Sequence, residues 1–232
     1  MHYIFIGGSK GIGKELAIRL LEKDHQITMI SRSKGDLADA ENLTHIQGDV
    51  MAQDFEFPKI DTPVNGLVYF PGTINLKPFR GLKPEVFQED FNINLTGLVK
   101  SLQAYLSKLR KSENASVLAF STVAVQKGMS FHASVAAAKG AVEGLVRSLA
   151  AEFAPQIRVN AIAPSLTNTS LGENLLNTDS KKENARNRHP LARYGEPHDI
   201  AAMAEFLLSA DSSWITGQIM HVDGGLSSIS KG

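Results

Sequence analysis

A glycine-rich segment near the N-terminus has the residue types and the spacing of a phosphate-binding turn. Gly7, Gly11 and Gly13 separate the apolar run Tyr3–Ile6 from an amphipathic helical pattern that begins at Ile12. Glycines in such a turn permit positive φ angles and bring backbone N–H groups close to a pyrophosphate at the helix N-terminus. The strand-turn-helix context predicts a dinucleotide site, although the spacing Gly-x-x-x-Gly-x-Gly leaves open a turn without a ligand. The predicted contacts in this turn are Gly7, Ser9, Lys10, Gly11, Ile12 and Gly13.

The residues after the second predicted strand indicate which dinucleotide would bind. A carboxylate at this point binds a ribose 2′-hydroxyl, whereas a basic residue accommodates a 2′-phosphate. Ser31 and Arg32 end this strand, and no carboxylate follows until Asp36. Arg32 and Lys10 would hold a phosphate from two sides, with the hydroxyl groups of Ser31 and Ser33 as donors. The sequence therefore favours NADP(H) over NAD(H), and two solvated surface cations are the alternative.

The bulk composition limits the class of protein and its partners. The 232 residues are 43% hydrophobic and 21% charged, which is typical of a globular protein. Lys+Arg and Asp+Glu both total 24, which argues against a nucleic-acid or anionic-membrane partner. The absence of Cys excludes disulfides and thiolate chemistry, and no His, Asp and Glu spacing predicts a metal site. With no room for a signal peptide and no membrane-spanning run, we expect a cytoplasmic protein with a small-molecule substrate.

Short apolar runs rich in β-forming residues alternate with helical stretches along almost the whole chain. This alternation predicts βαβ units and an α/β, Rossmann-type doubly wound parallel sheet of about seven strands, in one NADP(H)-binding domain over residues 1–232. The strand candidates are Tyr3–Ile6, Gln26–Ile30, Leu43–Ile46, Gly66–Phe70, Ser116–Phe120, Arg158–Ile162 and Gln218–Val222. Beyond the first helix, the main predicted helices are Lys83–Lys111, Ser134–Phe153 and Glu196–Leu208.

One polar segment, residues 165–190, interrupts this alternation. It is rich in Ser, Thr, Asn and Lys, and only Leu171, Leu175 and Leu176 indicate a short helical face. A long polar insertion is either a functional lid or a disordered excursion. Because the segment follows the carboxyl end of a strand, where open α/β sheets bind ligands, we favour a substrate lid.

Several further motifs follow one another in an order that is specific to one family. They are Asp49-Val50, Asn94-Leu95-Thr96-Gly97, Arg158-Val159-Asn160-Ala161-Ile162-Ala163-Pro164, Thr169, Arg193-Tyr194-Gly195-Glu196-Pro197, Thr216-Gly217-Gln218 and Val222-Asp223-Gly224-Gly225. From residue 3 to about 226, the chain resembles the short-chain dehydrogenases/reductases of the single-domain kind. The resemblance implies a homo-oligomer, tetramer or dimer. It also implies cofactor contacts by Asp49, Val50, Gly72, Lys139, Pro164, Thr167 and Thr169.

The resemblance fails where the chemistry would occur. In that family a Tyr donates a proton to a carbonyl. A Lys four residues later lowers the pKa of this Tyr and binds the nicotinamide ribose. A Ser thirteen residues before the Tyr orients the substrate. Here Lys139 matches the Lys, Thr122 stands at the Ser position and Val135 at the Tyr position. Thr122 can still hydrogen-bond a carbonyl, whereas Val135 has no proton to give. A further departure is Tyr69-Phe70-Pro71-Gly72, where the family typically has Asn-Asn-Ala-Gly.

His132 is the candidate for a relocated proton donor. It lies seven residues before Lys139, where the related enoyl reductases have their active Tyr, and an imidazole is a competent general acid around neutral pH. A loop histidine at the mouth of a pocket is the alternative. The weaker candidates are Tyr69, Tyr105 and Tyr194, which fall in a predicted strand, a predicted helix and a structural signature. By resemblance, Asn94 distorts a long helix and supports a proton-relay water.

Two functions follow from the sequence. The first is an NADP(H)-dependent oxidoreductase for a small carbonyl, alcohol or enoyl substrate, with Thr122, Lys139, Asn94 and His132 as its catalytic residues. The second is a non-catalytic NADP(H)-binding protein that acts as a sensor or assembly partner, and Val135 is its chief support. We favour the enzyme, because a site freed from catalysis need not have kept Thr122, Lys139 and Asn94.

Overall fold

The computed structural model describes residues 1–35, 37 and 39–230, so Asp36 lies outside the described residues. Within them, seven strands form one parallel sheet in the order β3-β2-β1-β4-β5-β6-β7. The strands are β1 His2–Ile6, β2 Gln26–Ser31, β3 Leu43–Gln47, β4 Gly66–Tyr69, β5 Ala115–Phe120, β6 Ile157–Pro164 and β7 Ile219–Val222. The predicted seven-stranded Rossmann-type sheet is confirmed, with strand ends that differ by one or two residues.

Helices cover both faces of the sheet. They are α1 Gly11–Leu21, α2 Pro84–Phe91, α3 Gly97–Leu109, α4 Val123–Lys127, α5 Ala133–Phe153, α6 Asp179–Arg188 and α7 Pro197–Leu208. Ile4 and Ile6 of β1 pack in the core shared with α3 and α5, whereas Tyr3 and Phe5 pack in the core shared with α1 and α7. Alternate side chains of one strand thus fill two cores, which explains why this strand is apolar at every position. None of the described helices is long and apolar enough to cross a membrane.

The strand order places the ligand-binding edge at the centre of the sheet. β1 pairs with β2 on one side and with β4 on the other, with Ile6 opposite both Ile30 and Tyr69. In open α/β sheets ligands bind at such a switch point, outside the carboxyl ends of the strands. The glycine turn and the segments after Ser31 and Tyr69 therefore meet at one edge.

The predicted helix Lys83–Lys111 is divided by a π-helical turn over Asn92–Thr96, which contains the Asn94 that the resemblance expects to distort a long helix. The side-chain amide of Asn94 donates to the Asp90 carbonyl oxygen at 2.7 Å. In an α-helix that carbonyl would accept from the backbone N–H of Asn94, so the side chain competes for it and the turn widens. Gly97 follows this turn, and a Cβ there would lie 2.1 Å from the Tyr69 hydroxyl oxygen.

The polar segment 165–190 contains a helix that its pattern of leucines did not predict. Leu175 ends only a short 3₁₀ turn, Glu173–Leu175, and the longer helix is α6. The sequence of α6, DSKKENARNR, has no apolar face for a periodicity search to find. Its first turn is capped by Thr178, whose hydroxyl oxygen accepts from the Lys181 N–H at 3.3 Å.

Candidate functional site

A cavity of about 910 Å³ opens at the carboxyl edge of the sheet. Its lining runs from the glycine turn, past the ends of β2, β4, β5 and β6, to the segment that contains α6. Of the cofactor-binding and catalytic residues that the sequence predicts, all but Asn94 line this cavity, whereas the weaker proton-donor candidates Tyr69, Tyr105 and Tyr194 do not. The structure thus brings together residues that are as far apart in the chain as Gly7 and Thr169.

The glycine turn leaves no space for side chains. A Cβ on Gly13 would lie 2.2 Å from the Gly8 Cα, and a Cβ on Gly11 would lie 3.0 Å from the Thr169 Cγ2. Gly7, Gly8 and Gly11 have φ angles of +74°, +87° and +53°. α1 starts at Gly11 and has no side-chain cap, so its first N–H groups are available to an anion. The turn fits the pyrophosphate of a dinucleotide.

Two cations, Lys10 and Arg32, lie beside this turn. Lys10 and Arg32 are exposed, line the cavity and have no ion-pair partner within the described part of the chain. The Ser31 hydroxyl, in contrast, is engaged within the protein, because it donates to the Ser33 carbonyl at 2.8 Å and contacts the His45 Nε2 at 3.0 Å. Ser31 therefore fixes the end of β2, and the two cations are the groups that face a ligand. The sequence did not single out His45.

Lys139 is the buried cation of the site. Its Nζ donates to the Phe120 carbonyl at 2.8 Å, and burial lowers its pKa to about 8 although the charge of Asp90 acts in the opposite direction. A Cβ on Gly72 would lie 3.5 Å from this Nζ and 3.3 Å from the Asn94 Oδ1. Lys139 and Asn94 thus both approach Gly72 on the side where a side chain would begin.

Asn94 lies behind the cavity wall in a buried polar network. Its Nδ2 donates to the Thr73 hydroxyl at 2.9 Å, and that hydroxyl donates to the Asp90 Oδ1 at 2.5 Å. Asn75 Nδ2 donates to the same oxygen at 2.7 Å. The Asn94 Oδ1 has no hydrogen-bond partner among the described residues. Asn94 thus acts on the site through the π-helical turn and Thr73. Asp90, which is fully buried, is a member of the site that sequence reasoning missed.

Three further residues line the cavity near Lys139. Val135 is buried on α5, one helical turn before Lys139. Thr122 caps α4, where its hydroxyl oxygen accepts from the Ala124 N–H at 3.3 Å, and its own proton remains free to donate. His132 precedes α5, and its Nδ1 lies 2.8 Å from the Ser130 carbonyl, which assigns the Nδ1 proton. The His132 Nε2 has no partner among the described residues.

None of the four tyrosines, all of them described, lines the cavity. The Tyr69 hydroxyl donates to the Ile93 carbonyl at 2.6 Å, and burial raises its pKa. The Tyr105 hydroxyl donates to the Pro58 carbonyl at 3.0 Å, and burial raises its pKa as well. Besides Lys139, His132 is thus the side chain with a basic nitrogen among the described lining residues near Val135. No group of three or more described His, Asp or Glu residues is arranged to hold a metal ion.

The sequence also missed a hydrogen-bonded pair at the far end of the cavity. The Ser165 hydroxyl, directly after β6, lies 2.8 Å from the His189 Nε2. The His189 Nδ1 donates to the Ala185 carbonyl at 2.6 Å, and the ring is 2% exposed. This pair fastens the end of α6 to the sheet. A serine directly after Pro164 was the only local signal, and nothing in the sequence paired it with a histidine 24 residues later.

Known proteins resemble this chain over nearly its whole length. Residues 7–227 match the protein-family model for enoyl-(acyl carrier protein) reductase. A 3-oxoacyl-[acyl-carrier-protein] reductase from Rattus norvegicus is 32% identical over 232 residues, which cover 95% of both chains. An "inactive 2-(S)-hydroxypropyl-CoM dehydrogenase 2" from Xanthobacter autotrophicus is 35% identical over 172 residues, 72% of this chain and 75% of that protein.

Solved structures share the fold. A short chain dehydrogenase family protein from Francisella tularensis superposes with a TM-score of 0.89 at 24% identity and covers 98% of this chain and 99% of its own. The crystal structure of levodione reductase superposes with a TM-score of 0.88 at 25% identity and covers 99% of this chain and 98% of its own. The chain therefore belongs to the short-chain dehydrogenase/reductase family, oxidoreductases that bind a nicotinamide cofactor and act on carbonyl, alcohol or acyl substrates.

Proposed function

We propose that this protein is an NADP(H)-dependent oxidoreductase for a small carbonyl, alcohol or enoyl substrate, with a proton donor other than tyrosine. The observation that carries the proposal is the buried Lys139 in the same cavity as the glycine turn. Burying an ammonium group is unfavourable, as the lowered pKa of Lys139 reflects. A lysine kept there at a cost in stability is expected to bind something, and the nicotinamide ribose is the group that we assign to it.

The residues at the glycine turn support NADP(H) over NAD(H). Lys10 and Arg32 would hold the 2′-phosphate, and no described carboxylate pairs with either of them. The pyrophosphate would lie on the N–H groups at the start of α1, with Thr169 against Gly11 on the other side. When bound, the cofactor supplies or accepts the hydride. The protein would bind and orient both reactants, and residues 165–190 would cover them as a lid that excludes water.

Proton transfer would fall to His132 and Thr122. Thr122 would donate its free hydroxyl proton to the substrate oxygen in a hydrogen bond and so hold the carbonyl. Val135, which stands at the position of the family's Tyr, has no proton to give. His132 lines the cavity about one helical turn earlier, and its Nε2 would donate the proton. General acid catalysis contributes about 10²–10⁴-fold, so the loss of this group should slow turnover by that order.

A non-catalytic NADP(H)-binding protein is the second candidate. Val135 favours it, and so does the relative from Xanthobacter autotrophicus that is named inactive. Such a protein would bind the cofactor with ordinary affinity and show no turnover. Because the buried Lys139 and the buried network of Asn94, Thr73 and Asp90 are both present, we favour the enzyme.

The test is NADPH oxidation over ketones, diketones, quinones and enoyl thioesters, with wild type, His132→Ala and Val135→Tyr. The proposal expects wild-type turnover that falls about 10²-fold or more in His132→Ala. His198→Ala is the matched control, since His198 is an exposed histidine outside the cavity whose ring lies near Asp199. An inert wild type beside an active Val135→Tyr would overturn the enzyme for these substrates and favour the binding protein.

We also expect a homo-oligomer in the cytoplasm, built through the long central helices. The small residues Ala136, Ala137, Gly140 and Gly144 of α5 would allow close helix packing, and a Cβ on Gly144 would meet nothing within 4 Å in one chain. Sedimentation equilibrium tests this directly. A dimer or tetramer is expected, and a monomer at micromolar concentration would contradict it.

A further inference from the structure

The cavity concentrates positive charge in a chain whose formal net charge is zero. Its lining has five cationic side chains, and the one carboxylate among the described lining residues is Asp49. Lys10, Arg32 and Lys139 are assigned above to the cofactor. The other two cations, Lys181 and Arg188, belong to α6 at the opposite end, where no part of the cofactor is assigned.

A second groove of about 540 Å³ continues from this end of the cavity. The two share Leu76, Met129, His132, Arg188 and Leu226 as lining residues. The groove adds Lys127 and Phe131, and none of its described lining residues is a carboxylate. Apolar side chains with cations and no anion form an environment suited to a ligand with an apolar body and a negative charge.

Of the three cations near this end, two already donate hydrogen bonds within the protein, and the third has no partner among the described residues. Lys181 Nζ donates to the Asn174 carbonyl at 2.7 Å and to the Asn177 Oδ1 at 2.9 Å. Lys127 Nζ donates to the Leu226 carbonyl at 2.6 Å. The Arg188 guanidinium has no hydrogen-bond or ion-pair partner among the described residues. A planar guanidinium matches the geometry of carboxylate, sulfonate and phosphate groups.

The backbone that carries Arg188 is held firmly in place. The next residue, His189, is buried and uses both ring nitrogens, one toward Ser165 and one toward Ala185. Because Ser165 follows β6 directly, the end of α6 is attached to the sheet. The Cα of Arg188 is thus held in place, so binding a ligand would need to order its side chain but not its backbone.

We propose that the substrate carries an anionic group, a carboxylate, sulfonate or phosphate, that binds Arg188 at the junction of the cavity and the groove. Its apolar body would lie against Leu76, Met129 and Leu226, with its carbonyl or hydroxyl toward Thr122. This inference rests on the proposed function, because it assigns the cationic lid end to the substrate. A purely structural role for Arg188, as a favourable cation at the C-terminus of α6, would make no distinction between charged and neutral ligands.

The experiment compares four probes: 7-oxooctanoate, 6-oxoheptane-1-sulfonate, 6-oxoheptyl phosphate and the neutral 2-octanone. Their dissociation constants would be measured by titration calorimetry with the full chain and NADP⁺, a mixture in which a ketone is not turned over. The variants are Arg188→Gln, which removes the charge, and Arg188→Lys, which keeps it. Arg186→Gln is the control on the same helix, because Arg186 pairs with Glu183 and does not line the cavity.

We expect at least one anion to bind wild type about ten-fold more tightly than 2-octanone, because a charge-assisted contact is gained. This preference should disappear in Arg188→Gln, persist in part in Arg188→Lys and remain in Arg186→Gln. The probe whose affinity most exceeds that of 2-octanone shows whether the anionic group of the substrate is a carboxylate, a sulfonate or a phosphate. Equal binding of all probes, or an anion preference that survives in Arg188→Gln, would overturn the proposal. A separate titration of NADP⁺ into the same protein samples tests the proposed function. If NADP⁺ binds but the anions are not preferred over 2-octanone, only the inference about Arg188 is contradicted.

Discussion

The two ends of the cavity are built by different physical means. At the glycine end, the shape comes from the backbone: Gly13 touches Gly8, and three glycines have positive φ angles. At the other end, called the lid end because it includes the lid that we propose, the shape comes from a few side-chain hydrogen bonds, chiefly the pair of Ser165 and His189. A backbone constraint allows one residue type, whereas a side-chain contact allows several. The glycine end is thus suited to an invariant pyrophosphate and the lid end to a substrate that differs among family members.

The sharpest test of this contrast is Gly13→Ala. A Cβ would overlap the Gly8 Cα at 2.2 Å, and because both atoms belong to the main chain, neither can rotate away. We expect NADP⁺ affinity to fall by about 100-fold or more, with a lower melting temperature. Gly81→Ala is the control, since a Cβ there meets nothing within 4 Å. Fluorescence titration of NADPH measures the affinities, and wild-type affinity in Gly13→Ala would contradict a turn shaped by close backbone contact.

The next test asks whether side chains set the cofactor preference at the glycine end. Arg32→Asp would place a carboxylate where we assign the 2′-phosphate, so NADP⁺ should bind about 100-fold more weakly while NAD⁺ changes little. Arg80→Asp is the control at an exposed arginine outside the cavity. Titrations of both cofactors against each variant give the ratio. Equal losses for NADP⁺ and NAD⁺ would mean that Arg32 supports the fold rather than the phosphate.

The same contrast explains what the sequence could and could not predict. The glycine turn was predictable because its constraint is local and leaves a spacing in the chain. Lys139 and Thr122 were found through the resemblance to the family, whose motif spacing the end of β5 and the helix α5 preserve. The sequence did not predict α6, because this helix has no apolar face. Its attachment to the sheet was not predicted either, because it joins Ser165 to His189, 24 positions later in the chain. The resemblance implied a helix distortion at Asn94, but helix propensity alone does not show it, because it does not show that the Asn94 side chain hydrogen-bonds to the Asp90 carbonyl.

A substitution at Lys139, which lies between the two ends, tests whether this buried lysine lowers the stability of the folded protein. Burial lowers its pKa from 10.5 to about 8, so between these pH values the unfolded chain binds the proton and the folded chain does not. The free energy of unfolding of wild type should therefore rise with pH across this window. At pH 7, the free energy of unfolding of Lys139→Met should exceed that of wild type by about 1–2 kcal/mol. This figure allows for the loss of the hydrogen bond to Phe120.

Urea denaturation at pH 7 and pH 10 measures this difference for Lys139→Met without cofactor. The difference in the free energy of unfolding between Lys139→Met and wild type should be smaller at pH 10, where Lys139 of the folded wild type is neutral. Lys100→Met is the control at an exposed lysine of α3 and should change little at either pH. A variant that is less stable than wild type at pH 7 would show that the contact with Phe120 outweighs the burial of charge. Lys139 would then be a structural residue.

The smallest expected effect is at the lid end, where Ser165→Ala removes one hydroxyl. The buried His189 Nε2 then has no hydrogen-bond partner among the described residues, which should lower the local stability at the end of α6 by about 1 kcal/mol. The rest of the cavity should not change, because other elements hold it in place. Hydrogen exchange at the last turn of α6 should speed up about five-fold while the glycine turn is unchanged. Thr178→Ala is the matched variant at the other end of α6 and should loosen its first turn instead. If Ser165→Ala also accelerated exchange at the glycine turn, the two ends would be coupled, and the division between a backbone-built cofactor end and a side-chain-built substrate end would fail.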